Sequence, residues 1–378
     1  MKPAKPEIYL DNAATYWSPG YSRFGNPSSL HQKGLAASYI LNKSRNIIAE
    51  RLNCLPREII FTSGGTESDN LAIKGIARAL KKYGKSIAVG ATEHKAILNS
   101  CKALQAENFK TIEIPVDENG IIKLEILEDT LKNEDITLVS VMYANNETGA
   151  IQPIKKISEL AHKYGKIFHT DAVQAANCLS LDVKELDVDA MSLSGHKIGA
   201  QKGVGLLYLR TGIPIQSIID GGGQEKGIRS GTENIEGIED MAEHLNSISY
   251  EKYYEKCLEL KDTMINTIIK GLEGVVSVKI NSDVSCSLPT HISLTFKGID
   301  GEALASILSL DGIYVSTGSA CNSKSLDASH VLTAMGISPM DARCTIRISF
   351  NDRLTLNEVL FAADRIIKKV KYLAEMKN

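Results

Sequence analysis

Two short stretches of this chain place groups that could do chemistry together. Ser192-Leu193-Ser194-Gly195-His196-Lys197 presents an amine on a short Ser/Gly/His loop, and His169-Thr170-Asp171-Ala172-Val173-Gln174 presents a carboxylate at the end of an apolar run. A lysine amine forms a Schiff base with an aldehyde, and a carboxylate keeps a proton on a pyridine nitrogen so that the ring can accept electrons. Together they are what a pyridoxal phosphate (PLP) site requires. Either stretch alone says little, because a lysine after Ser-Gly-His is more often a solvated loop residue. Gly64-Gly65-Thr66 follows the β-rich run 59–62 and would open a helix there, converging free N–H groups and a positive dipole end on one spot suited to phosphate. An ordinary strand-to-helix turn capped by Thr66 fits the same residues. A fourth stretch, Val315-Ser316-Thr317-Gly318-Ser319-Ala320-Cys321-Asn322-Ser323-Lys324-Ser325, is too small and polar for a core element and reads as a loop presenting one thiol.

With these stretches in view the chain resembles the cysteine desulfurases of the NifS/IscS type, within the class V aminotransferase family. The resemblance rests on Tyr9-Leu10-Asp11-Asn12-Ala13-Ala14-Thr15, Phe24-Gly25-Asn26-Pro27-Ser28-Ser29, Thr62-Ser63-Gly64-Gly65-Thr66-Glu67-Ser68, Glu93-His94-Lys95, Asn145-Asn146-Glu147, the Asp171 and Lys197 segments, Arg229-Ser230-Gly231-Thr232 and the Cys321 loop. These follow one another in family order across nearly the whole chain, and Ser-Thr-Gly-Ser-Ala-Cys is similar to the NifS/IscS subgroup rather than the SufS-like one.

The resemblance implies a PLP-dependent transferase of fold type I, acting as a homodimer. It implies that Lys197 binds the cofactor covalently, that Asp171 meets its ring nitrogen, and that His94 stacks on the ring. It assigns the phosphate to Gly65, Thr66, Ser194 and His196, with Thr232 reaching in from the other subunit. Gln174 would reach the ring hydroxyl, Asn146 the cofactor or substrate, and Arg347, in Thr345-Ile346-Arg347-Ile348-Ser349, the substrate carboxylate. An arginine in an otherwise apolar strand needs a partner, and a plain ion pair is the competing explanation for it. Asn145 and Glu147 read as turn residues. Cys321 would accept sulfur from L-cysteine as a persulfide, leaving L-alanine, and pass it to an iron–sulfur scaffold or another acceptor. A selenocysteine lyase or other PLP lyase, and a partner-dependent or inactive PLP-binding regulatory subunit, are the alternatives.

The elements that must position these residues alternate along the chain. The runs 59–62, 87–89, 138–141, 167–169 and 204–208 are short and β-rich, and helical patterns cover 34–52, 67–82 and 154–163. This order predicts an α/β fold with a three-layer α/β/α large domain and a mostly parallel sheet. Beyond residue 250 a helical stretch leads into β-rich runs at 275–280, 290–296 and 345–349 with a helix at 302–310, a smaller α+β domain. The predicted division is an N-terminal segment 1–20 contributing to the small domain, a PLP-binding domain 21–250, and a C-terminal domain 251–378 with the Cys321 loop.

The length of 378 residues is enough for a large core. A net charge of -2 gives no reason to expect nucleic acid or anionic membrane as a partner. No apolar run approaches the ~20 residues of a membrane span, and no signal-peptide core follows Met1, so a cytoplasmic location is the expectation. The seven cysteines include no Cys-x-x-Cys pair, which argues against a zinc site or disulfide framework. Six of them, Cys54, Cys101, Cys178, Cys257, Cys286 and Cys344, read as small buried hydrophobes. The chain departs from its relatives between Thr15 and Phe24, where the connection is short and Tyr16 replaces the usual second Thr beside the only Trp. It departs again at Asn351, where relatives often carry Gly; a local turn change is the milder explanation.

Overall fold

The computed structural model describes residues 8–16, 25–317 and 328–376. In that span β1 (Ile59–Thr62), β2 (Ser86–Gly90), β3 (Lys110–Ile114), β4 (Ile136–Ser140), β5 (Ile167–Asp171), β6 (Ala190–Ser194) and β7 (Gly205–Leu209) form one sheet in the order β1-β7-β6-β5-β4-β2-β3. Neighbours from β6 through β5, β4 and β2 to β3 are parallel, and β7 runs antiparallel between β1 and β6. Six strands therefore point the same way. Their carboxyl ends share one edge, where ligands of open α/β sheets bind.

Alternation along each strand explains the layers. Ile59, Phe61, Val139, Met191, Leu193 and Leu206 join the core that lies under the helices Gln32–Leu52, Ile154–Lys163 and Ile235–Ser247. Ile60, Ile87, Val89, Leu138 and Leu207 join a separate core with Leu71, Ile76, Ile97 and Leu104 on the other face. A sheet apolar on both faces has to be covered on both, and the three-layer α/β arrangement follows. The helix expected at 67–82 runs from Gly65 to Leu80 with a π turn at Leu71–Gly75. A Cβ on Gly75 would stand 2.6 Å from the Gln216 carbonyl oxygen, so the glycine lets that segment pack directly on the turn.

The loop expected around Ser192 is mostly strand. Ala190–Ser194 is buried throughout, and only Gly195–Lys197 forms a short 3-10 turn. Serine disguised the strand, but Ser192 Oγ is bonded to His169 Nε2 at 2.9 Å, so its burial leaves no polar group unsatisfied.

A second sheet, β10-β11-β9-β8, is built from β8 (Val278–Ile280), β9 (His291–Phe296), β10 (Ser316–Thr317) and β11 (Thr345–Ser349), all antiparallel. The helix Tyr250–Leu272 links the two bodies: Tyr250, Tyr253 and Tyr254 pack on the large-sheet core, while Leu260, Met264 and Ile268 belong to the small-sheet core with Leu294, Phe296 and Ile366. No helix among the described residues is long and apolar enough to cross a membrane.

Candidate active site

Each residue of the large-sheet side stands just past, or on, a strand's carboxyl end. Asp171 closes β5, Ser194 closes β6 and is followed by Lys197, and His94 lies beyond β2. Gly64, Gly65, Thr66, His94, Asn146, Asp171, Gln174, Ser194, His196, Lys197 and Arg347 all line one cavity of about 530 Å³. Arg347 comes from β11, so the second sheet supplies one wall. An adjoining cavity of about 470 Å³ shares Asn146, Gln174, His196, Lys197 and Arg347.

The local geometry is determined by close approach. Gly64 has φ 152°, and a Cβ on Gly65 would lie 2.8 Å from Val173 Cγ2. Only glycine leaves this cradle open in front of the helix that begins at Gly65. Ser194 Oγ and His196 Nδ1 are 3.0 Å apart beside it, so the donors that would meet a phosphate are already gathered.

Asp171 is 5% exposed, and its Oδ1 accepts the Val173 N–H at 2.9 Å. Burial raises its pKa to about 6, opposed by that N–H and by the Lys197 charge. A cationic ring nitrogen placed there would restore the ionised form. One oxygen each of Asp171 and Asp69 and one ring nitrogen of His94 lie within 4.8 Å of one another. Asp69 and Glu93 are buried and are pushed well above the usual carboxylate range, mainly by desolvation and also by the Asp171 charge.

His94 caps the helix Lys95–Leu104, its Nδ1 accepting the Ala96 N–H at 3.2 Å. That bond leaves the proton on Nε2, and burial followed by the Lys197 and Lys95 charges lowers its pKa. A neutral imidazole results, suited to lying against an electron-poor ring. The Lys197 backbone is held by Asn177, whose Nδ2 donates to the Lys197 carbonyl at 2.7 Å. Arg347 Nη1 donates to the Asn146 carbonyl at 3.0 Å, and its buried Nε has no hydrogen-bond partner among the described residues. The partner is a carbonyl, and no ion pair involves Arg347 among the described residues. Its charge is left available to an anion.

Thr232 is exposed and is not among the residues lining its own chain's cavity. Its segment is nevertheless anchored there, since Arg229 Nε pairs with Glu67 Oε1 at 2.8 Å. Burial pushes Glu67 up, but Arg229 and Ser63 hold it below its ordinary value. Cys321 lies outside the described residues. Of the other six cysteines, Cys101 and Cys178 are buried, with pKa raised to about 12 by desolvation. Cys286 is a correction: it is exposed, because it ends a short 3-10 turn at the surface. Asn351 has no positive φ, and its Oδ1 closes a turn onto the Arg353 N–H at 3.0 Å, so no glycine is needed there. Tyr16 is exposed, and residues 17–24 of the short connection lie outside the described span.

Asp69, Glu93, Asn177 and Lys202 also face or support the site and were not singled out from the sequence. Asp69 had a signal, one helical turn beyond Thr66 and so on the same face. Asn177 had none, because its role depends on two separate segments meeting.

The chain is similar to known proteins over most of its length. Residues 4–360 match the family described as Aminotransferase class-V. The chain is 40% identical to Cysteine desulfurase IscS of Clostridium botulinum, over 98% of this chain and 96% of that protein. A solved NifS-like protein superposes with a TM-score of 0.85 at 36% identity, covering 94% of this chain and 93% of that one. SspA in complex with cysteine superposes with a TM-score of 0.77 at 34% identity, covering 88% and 92%.

Proposed function

The chain belongs to the class-V aminotransferase family, and from that premise we propose that it is a PLP-dependent cysteine desulfurase taking L-cysteine to L-alanine, with Cys321 as the sulfur carrier. The observation that carries the reading is one cavity lined by Lys197, Asp171 and His94 from the large sheet and by Arg347 from the small one. PLP bound there supplies an electron sink for the amino acid joined to it.

The residues then divide the work. The cradle at Gly65, with Thr66, Ser194 and His196, would hold the phosphate; Asp171 would hold the ring-nitrogen proton, Gln174 would meet the ring hydroxyl and His94 would cover one face. Arg347 clamps the substrate carboxylate with Asn146 beside it, which aims the substrate amine at Lys197. The Lys197 amine takes the Cα proton as general base. The Cys321 thiolate attacks the substrate sulfur, so that an S–S bond forms as the Cβ–S bond breaks, and the carbon skeleton is reprotonated and leaves as alanine.

The assembly is read as a homodimer, with Thr232 of each chain serving the other chain's phosphate site. The exposure of Thr232 beside the anchored Arg229 supports this. A division near residue 250 separates the PLP-binding body from the body that carries Arg347, while the described part of the N-terminal segment bonds to the larger one, Asp11 Oδ2 accepting the Ser29 hydroxyl at 2.9 Å and meeting His31 Nε2 at 3.0 Å. An iron–sulfur scaffold or another thiol is the acceptor, and a cytoplasmic location fits an enzyme that depends on reduced thiols.

Incubating purified protein with L-cysteine and measuring alanine and sulfide tests the function. Stoichiometric alanine with sulfur on Cys321 is expected, and neither product from PLP-loaded protein would overturn it. Repeating the assay with selenocysteine ranks the lyase alternative.

A further inference from the structure

Glu147 sits in the turn 144–148, next to the cavity, and the chemistry above makes no use of it. It is 7% exposed, and its Oε2 accepts the Ser329 hydroxyl at 2.5 Å. Ser329 Oγ in turn accepts the Leu332 N–H at 3.2 Å and so caps the helix His330–Ala334. The buried carboxyl thus sets the cap, and the cap sets where the helix begins. One residue further, His330 Nε2 meets the Glu93 carbonyl at 3.0 Å, immediately before His94.

The turn is braced on its other side as well. Asn145 Oδ1 accepts the N–H groups of Glu147 at 2.8 Å and Thr148 at 3.0 Å, and its Nδ2 donates to the Thr92 carbonyl at 3.0 Å. The Asn146 carbonyl takes Arg347 Nη1. Ser329 and His330 are thereby fastened to the backbone that carries Asn146 and His94. In the sequence they follow Cys321 closely, while Ser316 and Thr317, paired with Arg347 and Ile346, closely precede it. Both flanks of residues 318–327 are anchored to elements that bear substrate-facing side chains.

We propose that Glu147 is a positioning residue for sulfur transfer, acting through Ser329 to fasten the chain beyond Cys321 at the cavity and so to place the thiol against the substrate sulfur. This rests on the desulfurase reading with Cys321 as carrier. Two anchored flanks raise the thiol's effective concentration at the cavity and narrow its approach. The first half of the reaction, in which the substrate amine and carboxylate dock, needs no such anchor.

The test compares holoprotein carrying Ser329→Ala, Glu147→Ala or Glu147→Gln with wild type in single turnovers with L-cysteine. One readout is the visible absorbance change on substrate docking; the other is sulfur on the Cys321 peptide by mass spectrometry. Ser329→Ala and Glu147→Ala should leave the docking rate and its half-saturating cysteine concentration within about twofold while slowing sulfur transfer about tenfold, the cost of a misplaced reacting group. Glu147→Gln, which keeps an acceptor for Ser329, should recover most of the transfer rate. Ser329→Ala, the milder change, keeps the test open if Glu147→Ala folds poorly. Equal slowing of both steps, or of neither, overturns the proposal alone. Absence of sulfur on Cys321 in the wild type overturns the desulfurase reading and the proposal with it.

Discussion

The large-sheet side of the cavity and the small-sheet side are built differently. Asp171 and Ser194 end strands that are paired on both sides and buried, and His94 is locked as a helix cap. Arg347 is half-buried on β11, whose neighbour β10 is only two residues long, and the residues between β10 and Ser329 include Cys321. One side must hold a ring and a proton in fixed register, which demands rigid support. The other must admit a substrate and bring a thiol to it, so its groups are secured at their flanks.

Breaking the rigid side should give the largest effect. Lys197→Ala is expected to abolish alanine formation and the visible absorbance of covalently held PLP. Borohydride reduction that still fixes PLP to the variant would show that another lysine is used. On the other side, Cys321→Ser should keep PLP and the first spectral change with cysteine while sulfide release falls to background. Unchanged sulfide output would remove Cys321 from the mechanism. Arg347→Ala should raise the KM for cysteine about 10- to 100-fold, as the loss of charge-assisted hydrogen bonds implies, with a smaller change in kcat. Measuring the two constants separately checks this.

A smaller effect sharpens the contrast through pH. Burial depresses His169 to about 3, so its neutral form belongs to the fold. The unfolded chain binds this proton at the ordinary histidine pKa of about 6.5. The stability it contributes is therefore complete above that value and is lost as pH falls toward 3. Asp171, raised to about 6, acts in the opposite sense in cofactor-free protein: its contribution declines as pH rises from the ordinary carboxylate value to about 6. In urea unfolding, the stability difference between wild type and His169→Gln should change by about 1.4 kcal/mol per pH unit between pH 6 and 4, the wild type losing more on the acid side. A constant difference would show that His169 is charged when folded. Smallest of all, Lys368→Ala removes an exposed pair with Asp364 on the last helix and should cost under about 0.5 kcal/mol by the same measurement.

Much of the fold was legible because its signals are local. The β-rich runs at 59–62 and 167–169 and the helices at 34–52 and 154–163 follow from periodicity, and the structure places elements there. β6 was not legible. Its serines look like loop residues until His169 supplies a partner for Ser192 and His196 one for Ser194, which makes their burial tolerable. β3 escaped for a related reason: Lys110, Thr111 and Glu113 belong to an edge strand, where polar side chains cost little.

The sequence by itself determined which chemical groups are present and in what order, since a lysine after Ser-Gly-His and an aspartate ending an apolar run are local facts. Only the tertiary structure decided which of them meet. Arg347 reaches the Asn146 carbonyl across 201 residues, Ser329 reaches Glu147 across 182 and His330 reaches the Glu93 carbonyl across 237. No local pattern encodes such contacts, because they exist only when two sheets and the helix between them pack into one body. For the same reason Glu147 reads as a turn residue in the sequence and becomes, in the fold, the buried carboxyl that joins the two sides of the cavity.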